Sequence, residues 1–208
     1  MTDKDFKLNF IGVAAPRSGT TWLAKCLGEH PEICISGVKE PHFFHYDSRY
    51  QQGLSYLAKQ FKHCGNKRLK GEWSNMYLYS PETARRLKQH NPDLKILMCL
   101  RNPIDRAYSQ YLNRKYNASI MPLYSFKHIV DREEKYHYLA YGLYSKHIRY
   151  YQSLFPRENI HVIIYEEVIA NPLPEFRKLL ALLGVADNFV TPSLRTVVND
   201  RGKKRYHS

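Results

Sequence analysis

The sequence predicts an α/β fold with three layers, a mainly parallel central sheet carrying helices on both faces. Two observations point to it. Lys7–Ala15, Lys95–Leu100 and Ile160–Tyr165 are short, nearly continuous apolar runs, the pattern of strands covered on both sides. Between them lie longer segments whose apolar residues recur at helical spacing. Strands alternating with helices make a parallel sheet, and a ligand of such a sheet lies beyond the carboxyl ends of its strands.

The elements follow in order. The first strand, with Phe10, Ile11, Val13 and Ala14 apolar, breaks at Pro16-Arg17-Ser18-Gly19. A helix then covers about Thr20–Glu29, with Trp22, Leu23, Cys26 and Leu27 on one face, and Gly28 and Pro31 mark its end. Ile33–Ser36 and Leu69–Glu72 read as short strands, and Gly53–His63 as a helix. Ser80-Pro81 opens a helix to about His90, with serine as N-cap and proline at the first helical position. After Lys95–Leu100, Pro103 starts a helix to about Tyr116 whose apolar side is Ile104, Ala107, Tyr108, Tyr111 and Leu112. Helical patterns cover about Ser125–Glu134 and Tyr141–Leu154. The last strand, Ile160–Tyr165, leads through Asn171-Pro172 to a helix that closes at Gly184.

A chain of 208 residues, 43% hydrophobic, fits a single domain spanning residues 1–208 with a substantial core. No stretch reaches the roughly 18 apolar residues of a membrane span. The first residues lack the basic-then-apolar pattern of a secretory leader, so the expected location is the cytoplasm. The net charge of +13 and pI near 9.5 favour anionic partners, although a basic solvated face would give the same balance. Lysine and arginine are spread along the chain, which argues against a nucleic-acid-binding arm. Cys26, Cys34, Cys64 and Cys99 show no paired or zinc-type spacing and read as reduced thiols. His42 and His45 lack an accompanying ligand set, so no metal is expected.

Two strand ends carry chemistry. The first is Ala15-Pro-Arg-Ser-Gly-Thr-Thr-Trp22. A helix beginning directly after a strand offers free backbone N–H groups to an anion. Arg17 adds a permanent charge, and Ser18, Thr20 and Thr21 add hydroxyl donors around Gly19. The second is Arg101-Asn-Pro103 followed by Ser109, an arginine at a buried strand end with a hydroxyl two turns into the next helix. That pair suits a second phosphate, or Arg101 pairs with a carboxylate such as Asp105.

These motifs resemble those of the sulfotransferases that use 3′-phosphoadenosine 5′-phosphosulfate (PAPS). Ala15–Trp22 is similar to that family's 5′-phosphosulfate loop, and Arg101–Ser109 to its 3′-phosphate site. Tyr141–Gly184, with Ile164-Tyr-Glu-Glu167 and Leu182-Leu-Gly184, is similar to its third block. The likeness runs from about residue 8 to residue 185. It implies a P-loop-like fold, PAPS as sulfuryl donor and 3′-phosphoadenosine 5′-phosphate (PAP) as product. It also implies that Trp22 stacks on adenine, unless Trp22 is a core residue of its helix, and that Tyr165 lies near the base. Val38-Lys-Glu-Pro-His-Phe-Phe44 resembles the Glu-x-His-Phe-Phe segment of the glycosaminoglycan branch. There the resemblance makes Glu40 the general base, unless it is a loop carboxylate or pairs with Lys39, with His42 as the alternative base or an orienting group; Phe43 and Phe44 read as core rather than as a substrate platform. A carboxylate is needed because an acceptor hydroxyl is a poor nucleophile until its proton is removed. Arg17 then offsets charge on the departing phosphate.

The chain departs from the pattern at three places. Arg17 stands where the family has lysine, Trp73 where the glycosaminoglycan branch has lysine, and His45 where that branch often has aspartate. Asn199–Arg205 is similar to the start of the family's basic cofactor-covering loop, which makes Arg201, Gly202 and Lys203 candidate contacts within segment 196–208. The acceptor is a small molecule or a carbohydrate; sugar rings pack on aromatic faces, and Tyr46, Tyr50, Tyr77 and Tyr79 lie in the surrounding sequence. Two other readings compete. A P-loop nucleotide kinase or NTPase needs a Gly-Lys-Ser/Thr loop and an aspartate at a strand end, where this chain has Arg101. A non-catalytic polyanion binder explains the charge but neither Glu40 nor the paired phosphate motifs.

Overall fold

A computed structural model describes residues 6–117, 125–132 and 137–195. Five strands, β1 (Phe10–Ala14), β2 (Ile33–Ile35), β3 (Leu69–Ser74), β4 (Lys95–Leu100) and β5 (Ile160–Ile164), form one sheet in the order β2-β3-β1-β4-β5. Every pairing is parallel, as the alternating pattern predicts.

Period-two alternation splits the apolar strand residues between two cores. Ile11, Val13, Ile96, Met98 and Leu100 meet Phe43, Phe44, Leu57, Leu87 and Tyr151 on one face. Phe10, Ala14, Leu97 and Cys99 meet Leu23, Leu27, Phe176, Leu179 and Leu183 on the other. Gly12 lies opposite Trp73 in the β1–β3 register. A Cβ there would come within 1.9 Å of the Trp73 indole, so only glycine lets the ring lie across β1.

The helices are α1 (Thr20–Gly28), α2 (Asp47–Tyr50), α3 (Gly53–Lys59), α4 (Pro81–His90), α5 (Pro103–Asn117), α6 (Phe126–Val130), α7 (Ser145–Leu154), α8 (Tyr165–Ala170) and α9 (Pro172–Leu183). Ser80 caps α4 by accepting from the Thr83 N–H at 3.1 Å. Gly184 ends α9 in the left-handed region at φ 67°. The segments expected as long helices are interrupted. Gly53–His63 resolves into α3 and a 3-10 turn at Lys62–Cys64, and Tyr141–Leu154 into a 3-10 turn at Ala140–Gly142 and α7. Residues 133–134 of the expected helix at Ser125–Glu134 fall outside the described residues.

Two expectations need correction. Ile104 and Tyr108 are exposed, at 74% and 44%, while Ala107 and Tyr111 carry the buried side of α5. Arg106 is instead fully buried, with its guanidinium donating to Gln110 and to the Tyr138 carbonyl. A basic residue on the buried stripe displaces the apolar face that spacing alone suggests. Second, Cys34 and Cys64 are joined in a disulfide, with Cα atoms 5.6 Å apart. Packing of β2 against the Lys62–Cys64 turn brings together thiols 30 residues apart, which spacing does not reveal. Cys26 and Cys99 are free and buried, and burial pushes the Cys26 thiol up to about 12.

Candidate active site

The turn between β1 and α1 has the backbone of an anion cradle. Arg17 and Gly19 both adopt left-handed φ, 73° and 78°. Gly19 is the N-cap of α1, and its carbonyl accepts from the Trp22 and Leu23 N–H groups. A Cβ on Gly19 would approach the Tyr165 ring to 2.8 Å, so this corner also requires glycine. The Ser18 hydroxyl is buried without a hydrogen-bond partner among the described residues. Thr20 and Thr21 stand in the first turn of α1, Thr20 half-buried and Thr21 exposed.

The two strand-end motifs meet. Arg17 Nε donates to Ser109 Oγ at 3.2 Å, and its Nη1 to Asn113 Oδ1 at 3.4 Å. Arg101 Nη1 donates to the Arg17 carbonyl at 3.2 Å, and its guanidinium lies 4.6 Å from the Tyr165 ring centre. Arg101 faces Glu166 at 4.0 Å rather than Asp105. Tyr144 donates to the Arg101 carbonyl at 2.9 Å, and Glu166 accepts from the Asn102 N–H at 3.0 Å. Thus Arg17, Gly19, Arg101, Ser109 and Tyr165, spread over 149 positions, form one cluster at the carboxyl ends of β1 and β4. Asn113 was not anticipated, although its place one turn after Ser109 on α5 is the signal for it. The Trp22 indole N–H donates to the Ser193 carbonyl at 2.8 Å, and the ring is half-buried against the second core. Arg201, Gly202 and Lys203 lie outside the described residues.

A second cluster adjoins the first through the sheet, because Ser74 ends β3 opposite Val13 of β1. Glu40 Oε2 lies 3.5 Å from His42 Nε2, and Asn75 Nδ2 donates to Glu40 Oε1 at 3.4 Å. Both residues have φ of 50°. Arg17, Glu40, His42 and His137 are the non-glycine residues with positive φ among those described. Three of the four are the residues predicted to do chemistry, and such strain persists where surrounding structure over-determines it. Phe43 and Phe44 are core, as expected. Tyr77 is fully buried and cannot face an acceptor, whereas Tyr46 is exposed and edge-on to His42 at 5.6 Å. Trp73 points into the core over Gly12, so this position supplies packing and no cation.

Beneath this turn lies Glu72, fully buried and not anticipated as a site residue. Burial pushes its carboxyl up to about 7; hydrogen bonds from Tyr77 and Ser74 act the other way, and the Glu40 charge adds to the rise. Among the described residues, one group of metal-ligating side chains converges, Cys34, His63 and Cys64, and its two thiols are the disulfide.

The family described as "Sulfotransferase domain" matches residues 9–205, and the chain belongs to it. Among individual relatives, the chain is 35% identical over 132 residues to the membrane-associated sulfotransferase kil1 of Dictyostelium discoideum, covering 60% of this chain and 28% of the relative. It is 28% identical over 180 residues to human heparan sulfate glucosamine 3-O-sulfotransferase 5, covering 82% and 51%. The chain therefore spans about half or less of these relatives' lengths. A sulfotransferase from Alicyclobacillus acidocaldarius superposes with a TM-score of 0.81 at 32% identity, over 90% of this chain and 85% of that one. Mouse sulfotransferase SULT7A1, complexed with PAP, shares the fold at a TM-score of 0.60 and 18% identity, over 89% and 63%.

Proposed function

We propose that this chain transfers a sulfuryl group from PAPS to an acceptor hydroxyl or amine, and that the acceptor is a carbohydrate. The observation that carries this reading is the meeting of Arg17, Ser109 and Arg101 at one strand-end cradle, in a chain of the sulfotransferase family. The residues present fit the donor nucleotide. The buried Ser18 hydroxyl, without a partner among the described residues, the left-handed turn and the first N–H groups of α1 suit the 5′-phosphosulfate. Arg101 and Ser109 suit the 3′-phosphate, and the Tyr165 ring beside Arg101 suits the base.

PAPS supplies an activated sulfuryl group, and the chain supplies positioning and charge. Glu40 accepts the proton of the attacking acceptor, with His42 as its neighbour at 3.5 Å. Arg17 offsets negative charge that grows on the leaving phosphate. The heparan sulfate relatives and the exposed Tyr46 ring support a carbohydrate acceptor. No helix among the described residues is long and apolar enough to cross a membrane. The Cys34–Cys64 disulfide favours an oxidising compartment over the cytoplasm expected from the first residues.

The test is a screen with sulfur-labelled PAPS against sulfated and unsulfated glycosaminoglycan fragments, simple alcohols and amines. Label on a saccharide with equimolar PAP is the expected result. Label only on a non-carbohydrate acceptor overturns the carbohydrate assignment, and PAPS left intact with every acceptor overturns the transfer. In the same assay, Arg17→Ala should lower kcat/KM by about 10²-fold or more, as for loss of one donor to a developing oxyanion. Unchanged kcat/KM would remove Arg17 from the phosphate loop.

A further inference from the structure

Glu72 stands out among the buried groups because nothing in the proposed chemistry uses it. It has no cationic partner among the described residues, and a buried carboxylate without one is costly. Both of its oxygens are engaged by hydroxyls. Tyr77 donates to Oε1 at 2.6 Å and Ser74 donates to Oε2 at 2.8 Å. A hydroxyl has a single proton. Once that proton is committed to Glu72, the oxygen's lone pairs are left to face the other way. Each hydroxyl then accepts from a backbone N–H of the segment carrying Glu40. The His42 N–H donates to Ser74 Oγ at 3.1 Å, and the Phe44 N–H donates to Tyr77 Oη at 3.2 Å. Two parallel chains therefore run from one carboxylate to alternate residues of one turn. That turn holds Glu40 and His42 at φ of 50°, which needs support from outside the segment.

We propose that Glu72 is a positioning residue of the transfer reaction, which fixes the Glu40–His42 turn through the Ser74 and Tyr77 hydroxyls. The inference rests on Glu40 being the base. Glu72, Ser74 and Tyr77 are buried and act through the backbone of 42–44. The arrangement gives the base a fixed direction from a side chain anchored in the central sheet, although Glu40 itself sits outside any strand or helix.

The experiment measures turnover at saturating PAPS and acceptor for Ser74→Ala and Tyr77→Phe, each in the wild-type and the Glu40→Gln background. PAP-binding stoichiometry counts the folded sites. Small misplacements of a reacting group cost up to about 10²-fold, so each hydroxyl variant should lose about 10- to 100-fold in kcat with PAP affinity unchanged. In the Glu40→Gln background the same substitutions should lose less than about twofold, because the group they position is gone. Glu72→Gln, which keeps one carbonyl acceptor, should retain more turnover than Glu72→Ala. Full turnover per folded site in Ser74→Ala and Tyr77→Phe would overturn the proposal. So would an equal fold-loss in both backgrounds, which would make the hydroxyls general supports of the fold. Full activity in Glu40→Gln alone would instead remove the base assignment, so the two failures are distinguishable.

Discussion

Replacing Glu40 with glutamine is expected to lower turnover by about 10²–10⁴-fold, the usual worth of a general base, while PAP affinity stays the same. Glutamine keeps the shape of the side chain and can still accept from Asn75 Nδ2, now 3.4 Å from Oε1, but it does not take a proton at neutral pH. The expected split follows from where Glu40 sits. Its contacts are His42 and Asn75, whereas Arg17 and Arg101, the groups proposed to bind phosphate, contact Ser109, Asn113 and the Arg17 carbonyl. Turnover and PAP binding measured on the same preparation decide the matter. Unchanged turnover would shift the role to His42, whose ring lies 3.5 Å from Glu40; His42→Ala should then show the larger loss.

Opening the Cys34–Cys64 bridge is expected to cost about 3–4 kcal/mol of stability, from the chain entropy that a crosslink of this span removes from the unfolded state. The relevant separation is 30 residues. For a chain of this size that is a fall of about 10 °C in melting temperature. The bridge closes the base of the segment that contains Glu40 and His42. Next to it, the Gly37 N–H donates to the Gln60 carbonyl at 3.0 Å and Ser36 Oγ donates to Gln60 Oε1 at 3.1 Å. Melting the wild type with and without reductant, beside a Cys34→Ser/Cys64→Ser double variant, measures the effect. The reduced wild type and the double variant should melt together, well below the oxidised protein. Coincidence of all three would mean that the bridge contributes nothing to the folded state.

Much of the fold was legible because its strands are buried on both faces and therefore read as unbroken apolar runs. Lys95–Leu100 matches the observed β4 at both ends. The meeting of Arg17 and Arg101 at two strand ends was legible for a related reason. A strand that stops at a donor-rich turn places its last residues at the ligand edge of a parallel sheet, and Arg17 and Arg101 both stand there. The short helix at Tyr165–Ala170 was missed, because Tyr165 continues the apolar run of β5 and the helix begins without a capping side chain. Burial of Arg106 and Glu72 was illegible, since a charged residue in a pattern reads as a solvated position. Only the groups around it, here Gln110 and the Tyr138 carbonyl for Arg106, and Ser74 and Tyr77 for Glu72, make burial tolerable. The disulfide was illegible because no spacing rule pairs cysteines on different elements.

The proposed function requires the carboxyl ends of β1 and β4 to bind a nucleotide together, through two separate phosphate groups. Thermal melting with PAP and with adenosine 5′-phosphosulfate, which lacks the 3′-phosphate, tests it most directly. A ligand that binds only the folded state stabilises it by about 2.7 kcal/mol at a hundredfold excess over Kd. PAP should therefore raise the melting temperature by about 5–10 °C. Adenosine 5′-phosphosulfate at the same concentration should raise it far less, and Arg101→Ala should bring the PAP shift down towards that smaller value. Equal shifts from the two nucleotides, unaffected by Arg101→Ala, would contradict the two-phosphate site.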